Sequence, residues 1–259
     1  MPFADLPNAR IHYALSGPSS APTLILSTSL GTDFSLWDPQ TPAFEKQFRL
    51  LRYDMRGHGK SSVPKPPYSV AGDLVADLLA LADSLSIDRF HLCGLSVGGM
   101  IGMALAVQSP QRLHKMVLTN TAVKIGTLES WNTRIATVRG KGMKEIAPIT
   151  RDRWFTKQFQ SASPEAVTKT MRAVEALDPE GYVGGCCAVR DFDFRGQLSA
   201  IHVPTLVISG THDAAATTAD GRFLAEQIAG ARYLELNASH LSNIEAADGY
   251  TSAVLGFLA

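Results

Sequence analysis

The chain has 259 residues, 45% of them hydrophobic, and its 24 basic residues balance its 24 acidic ones. This length is enough to build one large hydrophobic core. A neutral chain lacks the electrostatic footprint of a protein that binds nucleic acid or an anionic membrane surface. We therefore expect a small-molecule partner, with no nucleic acid and no membrane, and the oligomeric state stays open.

The N-terminal segment MPFADLPNAR lacks the charged start and apolar stretch of a secretory signal. No later stretch approaches the roughly 18 apolar residues of a membrane span, so we expect a soluble, cytoplasmic protein. The three cysteines, Cys93, Cys186 and Cys187, form no CxxC pair, which predicts free thiols and no metal site. Because Cys93 lies inside an apolar run, it is a poor candidate for a nucleophile.

Short apolar runs alternate with longer amphipathic runs, which is typical of strands and crossover helices in a mostly parallel sheet. The predicted strands are residues 9–15, 23–29, 48–54, 89–94, 114–120, 204–210 and 231–236. The predicted helices are residues 71–86, 97–109 and 217–229. The pattern predicts an α/β fold, with a mostly parallel sheet flanked by helices.

The alternation stops between residues 122 and 195, where the sequence becomes helical and charged. Glycines and prolines interrupt this segment at Gly140, Gly142, Pro148, Pro164 and Pro179. We interpret residues 122–195 as a helical cap inserted into the fold, and residues 1–121 and 196–259 as the core.

A motif that carries chemistry follows the fourth predicted strand. Residues 90–99, FHLCGLSVGG, run from an apolar strand through Gly94-Leu95-Ser96-Val97-Gly98 into a helix. This is G-x-S-x-G in the strand, turn and helix setting of a nucleophile elbow. The tight turn leaves no space for side chains at Gly94 and Gly98. The sequence therefore predicts that Ser96 is a nucleophile at the C-terminal edge of the sheet.

A serine hydroxyl needs a histidine to take its proton and a carboxylate to orient that histidine. In folds with such an elbow, the three catalytic residues follow one another along the chain in the order Ser, Asp, His, and each lies just after a strand. Asp213 follows the strand in VPTLVISGTHD, and His240 follows the strand in RYLELNASH. Taken singly, Asp213 also suits a helix cap and His240 a surface histidine. The remaining histidines fit the base position less well: His12, His58, His91, His114, His202 and His212.

An oxyanion formed at Ser96 requires two N–H donors. The amide of Val97 at the elbow is one predicted donor. The second is predicted in the loop of LILSTSLGTDFSLW, where we assign the amide of Leu30.

Together with the elbow, the segments YDMRGHGKS at 53–61, GTHD at 210–213 and ASH at 238–240 resemble the α/β-hydrolase superfamily over the whole chain. The segments SLGTDFSLWDPQ, CGLSVGGMIGMALA, ESWNTRIATVRGKGM and RWFTKQF are more narrowly similar to 3-oxoadipate enol-lactonases. The chain departs from many superfamily members at Thr28-Ser29, where they carry His-Gly. The resemblance implies hydrolysis of an enol-lactone to 3-oxoadipate in the β-ketoadipate pathway of aromatic catabolism, without a cofactor.

The resemblance also implies an anionic lactone substrate, whose carboxylate arginine binds bidentately. Trp131 and Arg134 lie three residues apart on the first cap helix and share one face. We predict that this face lies over Ser96, the alternative being an anchoring tryptophan beside a solvent-facing arginine. Arg190 is the reserve candidate.

The same residues also suit other carbonyl substrates, such as those of carboxylesterases, perhydrolases and carbon–carbon bond hydrolases, because fold alone does not select the substrate. Serine at position 96 argues against the alkyl-enzyme chemistry of haloalkane dehalogenases and epoxide hydrolases, which carry aspartate there. A non-catalytic small-molecule binder on this fold is the second alternative.

Overall fold

A computed structural model describes residues 2–259. Its centre is an eight-stranded sheet with the strand order β1-β2-β4-β3-β5-β6-β7-β8. The strands are β1 (Phe3–Asp5), β2 (Arg10–Ser16), β3 (Thr23–Ser27), β4 (Arg49–Tyr53), β5 (Phe90–Leu95), β6 (Leu113–Thr119), β7 (Thr205–Gly210) and β8 (Arg232–Leu236). β2 pairs antiparallel with β1 and with β4, and the remaining strand pairs are parallel. The predicted mostly parallel sheet is confirmed.

Helices flank the sheet, and a group of them stands between β6 and β7. They are α1 (Thr41–Phe44), α2 (Val75–Ser84), α3 (Val97–Gln108), α4 (Leu128–Lys141), α5 (Met143–Trp154), α6 (Lys157–Ala162), α7 (Pro164–Glu175), α8 (Pro179–Asp191), α9 (Thr218–Gln227), α10 (Ser242–Glu245) and α11 (Ala247–Leu258). A π-helical turn, Val70–Leu74, leads into α2. Within residues 2–259, no helix combines the length and the apolar character that crossing a membrane requires.

The central strands and α3 form the core that holds the site in place. Every residue of β5 and of β7 is buried, as is expected of parallel strands covered on both faces. In α3 the residues from Val97 to Ala106 are all buried. Gly102 lets this helix approach the sheet, since a Cβ there would lie 3.0 Å from Sδ of Met116. This packing holds the N-terminus of α3 at the C-terminal edge of the sheet.

Helices α4 to α8 cover this edge of the core. One close approach to the core is between Gly181 at the start of α8 and Gly57 in the loop after β4. A Cβ on Gly181 would lie 2.3 Å from the carbonyl oxygen of Gly57, so only glycine permits this approach. A second link between these helices and the core is the ion pair between Lys169 of α7 and Asp38, at 2.7 Å.

Two buried histidines give a testable pH dependence of stability. His58 is 2% exposed, and its Nδ1 lies 3.1 Å from the carbonyl oxygen of Arg56. Burial lowers the pKa of His58 to about 4. Burial, together with the nearby His114, also lowers the pKa of His91 to about 4. Between about pH 4 and pH 6.5, both imidazoles are therefore neutral in the folded protein but bind a proton in the unfolded chain.

Because the unfolded chain binds these protons near pH 6.5, we expect stability to fall as the pH drops from 6.5 towards 4. For His58 the loss is on the order of 3 kcal/mol. Urea unfolding at pH 7 and at pH 4 measures it, and the loss should be smaller in His58→Asn. The exposed His202 provides the control variant His202→Asn. An equal acid loss in both variants would contradict this assignment.

Candidate active site

The predicted nucleophile lies on a strained turn between β5 and α3. Ser96 has φ 56° and ψ −113°, a conformation that side-chain-bearing residues rarely adopt. A Cβ at Gly94 would lie 2.2 Å from the carbonyl oxygen of Gly98, and a Cβ at Gly98 would lie 2.3 Å from that of Ser27. The two glycines therefore allow the elbow to close tightly and project Ser96 from the edge of the sheet.

The predicted oxyanion donors flank this turn. Within residues 2–259, the amides of Leu30 and Val97 donate to no protein acceptor. The amide of Gly98 donates to the carbonyl oxygen of Thr28 at 3.1 Å, which joins the loop after β3 to the elbow. The N-terminus of α3 adds its positive end to the same region. These two amides are thus free to stabilise an oxyanion.

His240 and Asp213 form a buried pair at the ends of neighbouring strands. Nδ1 of His240 lies 2.7 Å from Oδ2 of Asp213, and the residues are 4% and 5% exposed. The other carboxylate oxygen accepts from the amides of Ala215 and Ala216 at 2.7 and 3.1 Å. Burial raises the pKa of Asp213, but its interactions with His240 and the donated hydrogen bonds outweigh burial and lower the pKa overall. The carboxylate therefore stays charged and can orient the imidazole.

Asn120, at the end of β6, is a part of this network that sequence analysis missed. Its Nδ2 donates to Oδ2 of Asp213 at 2.9 Å, and its Oδ1 accepts from Ser242 at 2.6 Å. The residue is 1% exposed and has φ 46°, a left-handed conformation that asparagine tolerates better than most residues. The only sequence signal was its position just after a strand.

We expect Asn120→Ala to lower kcat about tenfold and to destabilise the fold by about 1–3 kcal/mol, because Asp213 loses a donor and the Ser242 hydroxyl loses its acceptor. Steady-state kinetics and urea unfolding measure the two effects. Asn237→Ala is the matched control, since Asn237 is exposed and its side chain forms a hydrogen bond to the exposed His212 at 2.9 Å. Wild-type kcat and stability in Asn120→Ala would contradict a supporting role for this amide.

One cavity joins the edge of the sheet to the cap. The residues lining it come from both parts of the chain: Ser29, Leu30, Ser96, Ile125, Trp131, Arg134, Thr150, Arg153, Trp154, Tyr182, Val189, Ala215 and His240. The structure thus brings the predicted Trp131 and Arg134 into the same cavity as Ser96 and His240.

Hydrogen bonds hold both predicted cap residues in place. Nε1 of Trp131 donates to the carbonyl oxygen of Ile125 at 2.7 Å. Arg134 donates from Nε to the Tyr182 hydroxyl at 2.6 Å and from Nη2 to the Thr150 hydroxyl at 2.7 Å. Since both acceptors are neutral, the charge of Arg134 remains available to an anionic ligand.

The structure places the reserve candidate Arg190 outside the lining of this cavity. Its guanidinium pairs with Asp191 at 2.7 Å and donates to Asn132 at 3.0 Å, and it is not among the residues that line the cavity. Periodicity alone could not show which way α8 turns this side chain. Arg153, which sequence analysis did not select, lines the cavity instead.

The loop that carries His240 is bonded directly to the cap. The Ser239 hydroxyl donates to the carbonyl oxygen of Arg153 at 2.8 Å, and the amide of Leu241 donates to that of Trp154 at 3.2 Å. The Glu245 carboxylate accepts from the amide of Ser239 at 3.0 Å and from the hydroxyl of Thr156. The end of α5 and the histidine loop therefore hold each other in position.

Other reactive groups are not among the residues that line this cavity. His12 forms a second buried histidine–carboxylate pair, with Nδ1 2.7 Å from Oδ2 of Asp54, but neither residue lines the cavity. The cysteines are free, and burial raises the pKa of the Cys93 thiol to about 12. Within the described residues there is no group of three or more His, Cys, Asp or Glu side chains placed to hold a metal ion.

A serine at a nucleophile elbow, beside a histidine–aspartate pair and beneath a helical cap, defines a hydrolase of the α/β-hydrolase class. A family model for the alpha/beta hydrolase fold matches residues 22–141. The chain is 41% identical to 3-oxoadipate enol-lactonase 2 of Acinetobacter baylyi and 34% identical to 3-oxoadipate enol-lactonase 1 of the same organism. Each match covers 94% of this chain and 91% of the relative. The chain belongs to the 3-oxoadipate enol-lactonase family.

A solved structure agrees with this placement. The enol-lactonase from Burkholderia xenovorans LB400 superimposes with a TM-score of 0.97 and 46% sequence identity, over 99% of each chain. The similarity therefore extends through the cap as well as the core, and the resemblance seen in the sequence is confirmed.

Proposed function

We propose that this protein hydrolyses 3-oxoadipate enol-lactone to 3-oxoadipate in the cytoplasm, as a step in the catabolism of aromatic compounds. The main support for this proposal is that Ser96, His240 and Arg134 line the same cavity. The side chain of Arg134 donates to two hydroxyl groups, so no carboxylate neutralises its charge. 3-Oxoadipate is a dicarboxylic acid, so its lactone keeps one free carboxylate. The enol-lactonase relatives support the same substrate.

The first half of the reaction forms an acyl-enzyme. His240 takes the proton of the Ser96 hydroxyl as its oxygen attacks the lactone carbonyl carbon. The amides of Leu30 and Val97 donate to the oxyanion of the tetrahedral intermediate. When that intermediate collapses, the ester bond of the ring breaks and the enol oxygen takes the proton from His240. The ring opens, so the leaving group stays attached to the acyl chain.

The second half releases the product. Water enters the cavity, gives a proton to His240 and attacks the acyl carbonyl carbon. Collapse of the second intermediate returns the proton to Ser96 and frees the new carboxylate, and the enol becomes the ketone. Asp213 stabilises the imidazolium in both halves and keeps Nδ1 of His240 protonated. The chain's own residues supply every proton transfer, so the scheme needs no cofactor.

Arg134 provides the charge that selects an anionic substrate. It extends from α4 of the cap, and its bonds to Tyr182 and Thr150 hold the guanidinium in one orientation. A positioned guanidinium loses less conformational entropy when it binds a carboxylate. We propose that it binds the carboxylate arm of the lactone while Trp131 packs beside the ring.

We expect Arg134→Gln to raise KM for the enol-lactone about 10–100-fold, since a charge-assisted hydrogen bond contributes about 1.5–3 kcal/mol. The kcat/KM for the uncharged p-nitrophenyl acetate should hardly change. The control is Arg139→Gln on the same helix, because Arg139 forms an exposed pair with Glu180 at 2.9 Å. Equal KM values for Arg134→Gln and wild type would remove Arg134 from the substrate site.

Ultraviolet absorbance of the enol-lactone tests the substrate, with p-nitrophenyl acetate assayed beside it. A kcat/KM for the lactone far above that for the ester supports the proposal. Cleavage of the ester alone would favour the carboxylesterase alternative, and a perhydrolase or carbon–carbon bond hydrolase would require its own substrate. A folded protein that turns over neither compound would favour a non-catalytic binder.

A further inference from the structure

A second arginine, Arg153, also lines the cavity, and the reaction scheme leaves it without a role. No aspartate or glutamate lies among the residues that line the cavity. Three other arginines of the cap pair with carboxylates: Arg139 with Glu180, Arg151 with Asp152 and Arg190 with Asp191. Arg134 and Arg153 are therefore the two arginines of a cavity lining that contains no carboxylate.

The two arginines that line the cavity belong to different helices of the cap. Arg134 comes from α4 and is bonded to α8 through Tyr182. Arg153 comes from the end of α5, where its carbonyl oxygen accepts from the Ser239 hydroxyl at 2.8 Å, next to His240. The loop of Ser239 therefore places the peptide of Arg153 on the side of the cavity where the acyl carbon reacts.

The chemistry of the proposed reaction supplies a reason for two cations. The lactone carries one carboxylate, and opening its ring converts the carbonyl carbon beside Ser96 into a second one. The substrate is thus a monoanion and the product a dianion, with one carboxylate at each end of a six-carbon chain.

We propose that Arg134 and Arg153 together form a binding site for linear six-carbon dicarboxylates, in which Arg153 binds the carboxylate created at Ser96. This inference rests on the proposed function for the identity of the product. Its consequence is that 3-oxoadipate and related diacids occupy the site and compete with the lactone. A monocarboxylate of the same length engages only one of the two cations, so it binds more weakly.

Calorimetric titration tests this with adipate and hexanoate as probes, in the Ser96→Ala protein so that no turnover occurs. We expect adipate to bind at least about tenfold more tightly than hexanoate, on the scale of one charge-assisted hydrogen bond. Adding Arg153→Gln should abolish this preference. Arg151→Gln is the matched control, because Arg151 lies on the same helix but lines an outer cleft of about 470 Å³ that contains neither Ser96 nor His240.

Equal affinities for adipate and hexanoate, or a preference that survives Arg153→Gln, would overturn the inference. Thermal melts verify that each variant is folded. We expect Arg153→Gln to fold because Arg153 is exposed. The binding result is independent of the lactone assay. An Arg153-dependent preference without lactone turnover would contradict the proposed function alone, and turnover without the preference would contradict this inference alone.

Discussion

We expect kcat for the enol-lactone to fall by a factor on the order of 10⁶ in the Ser96→Ala protein, because no other hydroxyl that lines the cavity lies at the nucleophile elbow. The fold should be retained, since alanine is smaller than serine and Ser96 makes no side-chain hydrogen bond that the core requires. Its strained φ of 56° is set by the elbow and not by the hydroxyl. Single-turnover assays with enzyme in excess measure the residual rate.

The matched control is Ser29→Ala. Ser29 lines the same cavity, is 1% exposed and carries the same hydroxyl group, but it lies in the loop after β3 and not at the elbow. We expect its kcat to stay within a few-fold of wild type. A Ser96→Ala enzyme that retains substantial lactonase activity, or a Ser29→Ala enzyme that loses all of it, would contradict the assignment of the nucleophile.

Asp213→Asn should lower kcat by about 10⁴-fold with little change in KM. The amide can present an N–H to His240, which favours the imidazole tautomer that cannot accept the proton of Ser96. The substitution also removes the negative charge that stabilises the imidazolium of His240. Steady-state kinetics measure the loss, and thermal melts show whether the buried site stays folded.

The control for this prediction is Asp248→Asn. Asp248 is exposed at the start of α11 and lies outside the cavity. It should leave kcat and KM unchanged. If Asp213→Asn keeps more than about a tenth of the wild-type kcat, its loss of activity is far smaller than a triad aspartate predicts. A different group would then orient His240. Asn120, which already donates to the same carboxylate, would then be the first residue to test.

Much of the fold could be predicted because the core strands are short apolar runs between clear breaks. All seven predicted strands occur, with ends within two residues of those predicted. The elbow was predictable for a local reason, since Gly94, Ser96 and Gly98 must be close in sequence to make the turn. Asp213 and His240 were predictable because parallel strands end at one edge of the sheet, where the residues that follow them meet.

Elements without such local patterns were missed. β1 has three residues, of which two are exposed, so it shows no hydrophobic periodicity and forms only through its pairing with β2. The C-terminal helices α10 and α11 were not predicted either. α11 is joined to the core through Tyr250, whose hydroxyl lies 2.9 Å from that of Thr119, a contact between distant parts of the chain.

The supporting residues of the site were missed for the same physical reason. Asn120, Arg153 and Glu245 act through contacts with segments far away in the sequence, so no spacing marks them. Trp131 and Arg134 were selected from helical spacing and a family resemblance. The sequence could not show the direction in which α4 crosses the sheet, which is what brings them into the same cavity as Ser96.

Lactone hydrolysis at Ser96 can be tested by following the ultraviolet absorbance of 3-oxoadipate enol-lactone in the presence of the purified protein, with the product identified by mass spectrometry. We predict rapid, catalytic loss of the lactone with formation of 3-oxoadipate, and no acceleration by an equally folded Ser96→Ala protein. If the lactone decays no faster with folded wild-type protein than without it, 3-oxoadipate enol-lactone is not the substrate. If the Ser96→Ala protein is as fast as wild type, Ser96 is not the nucleophile.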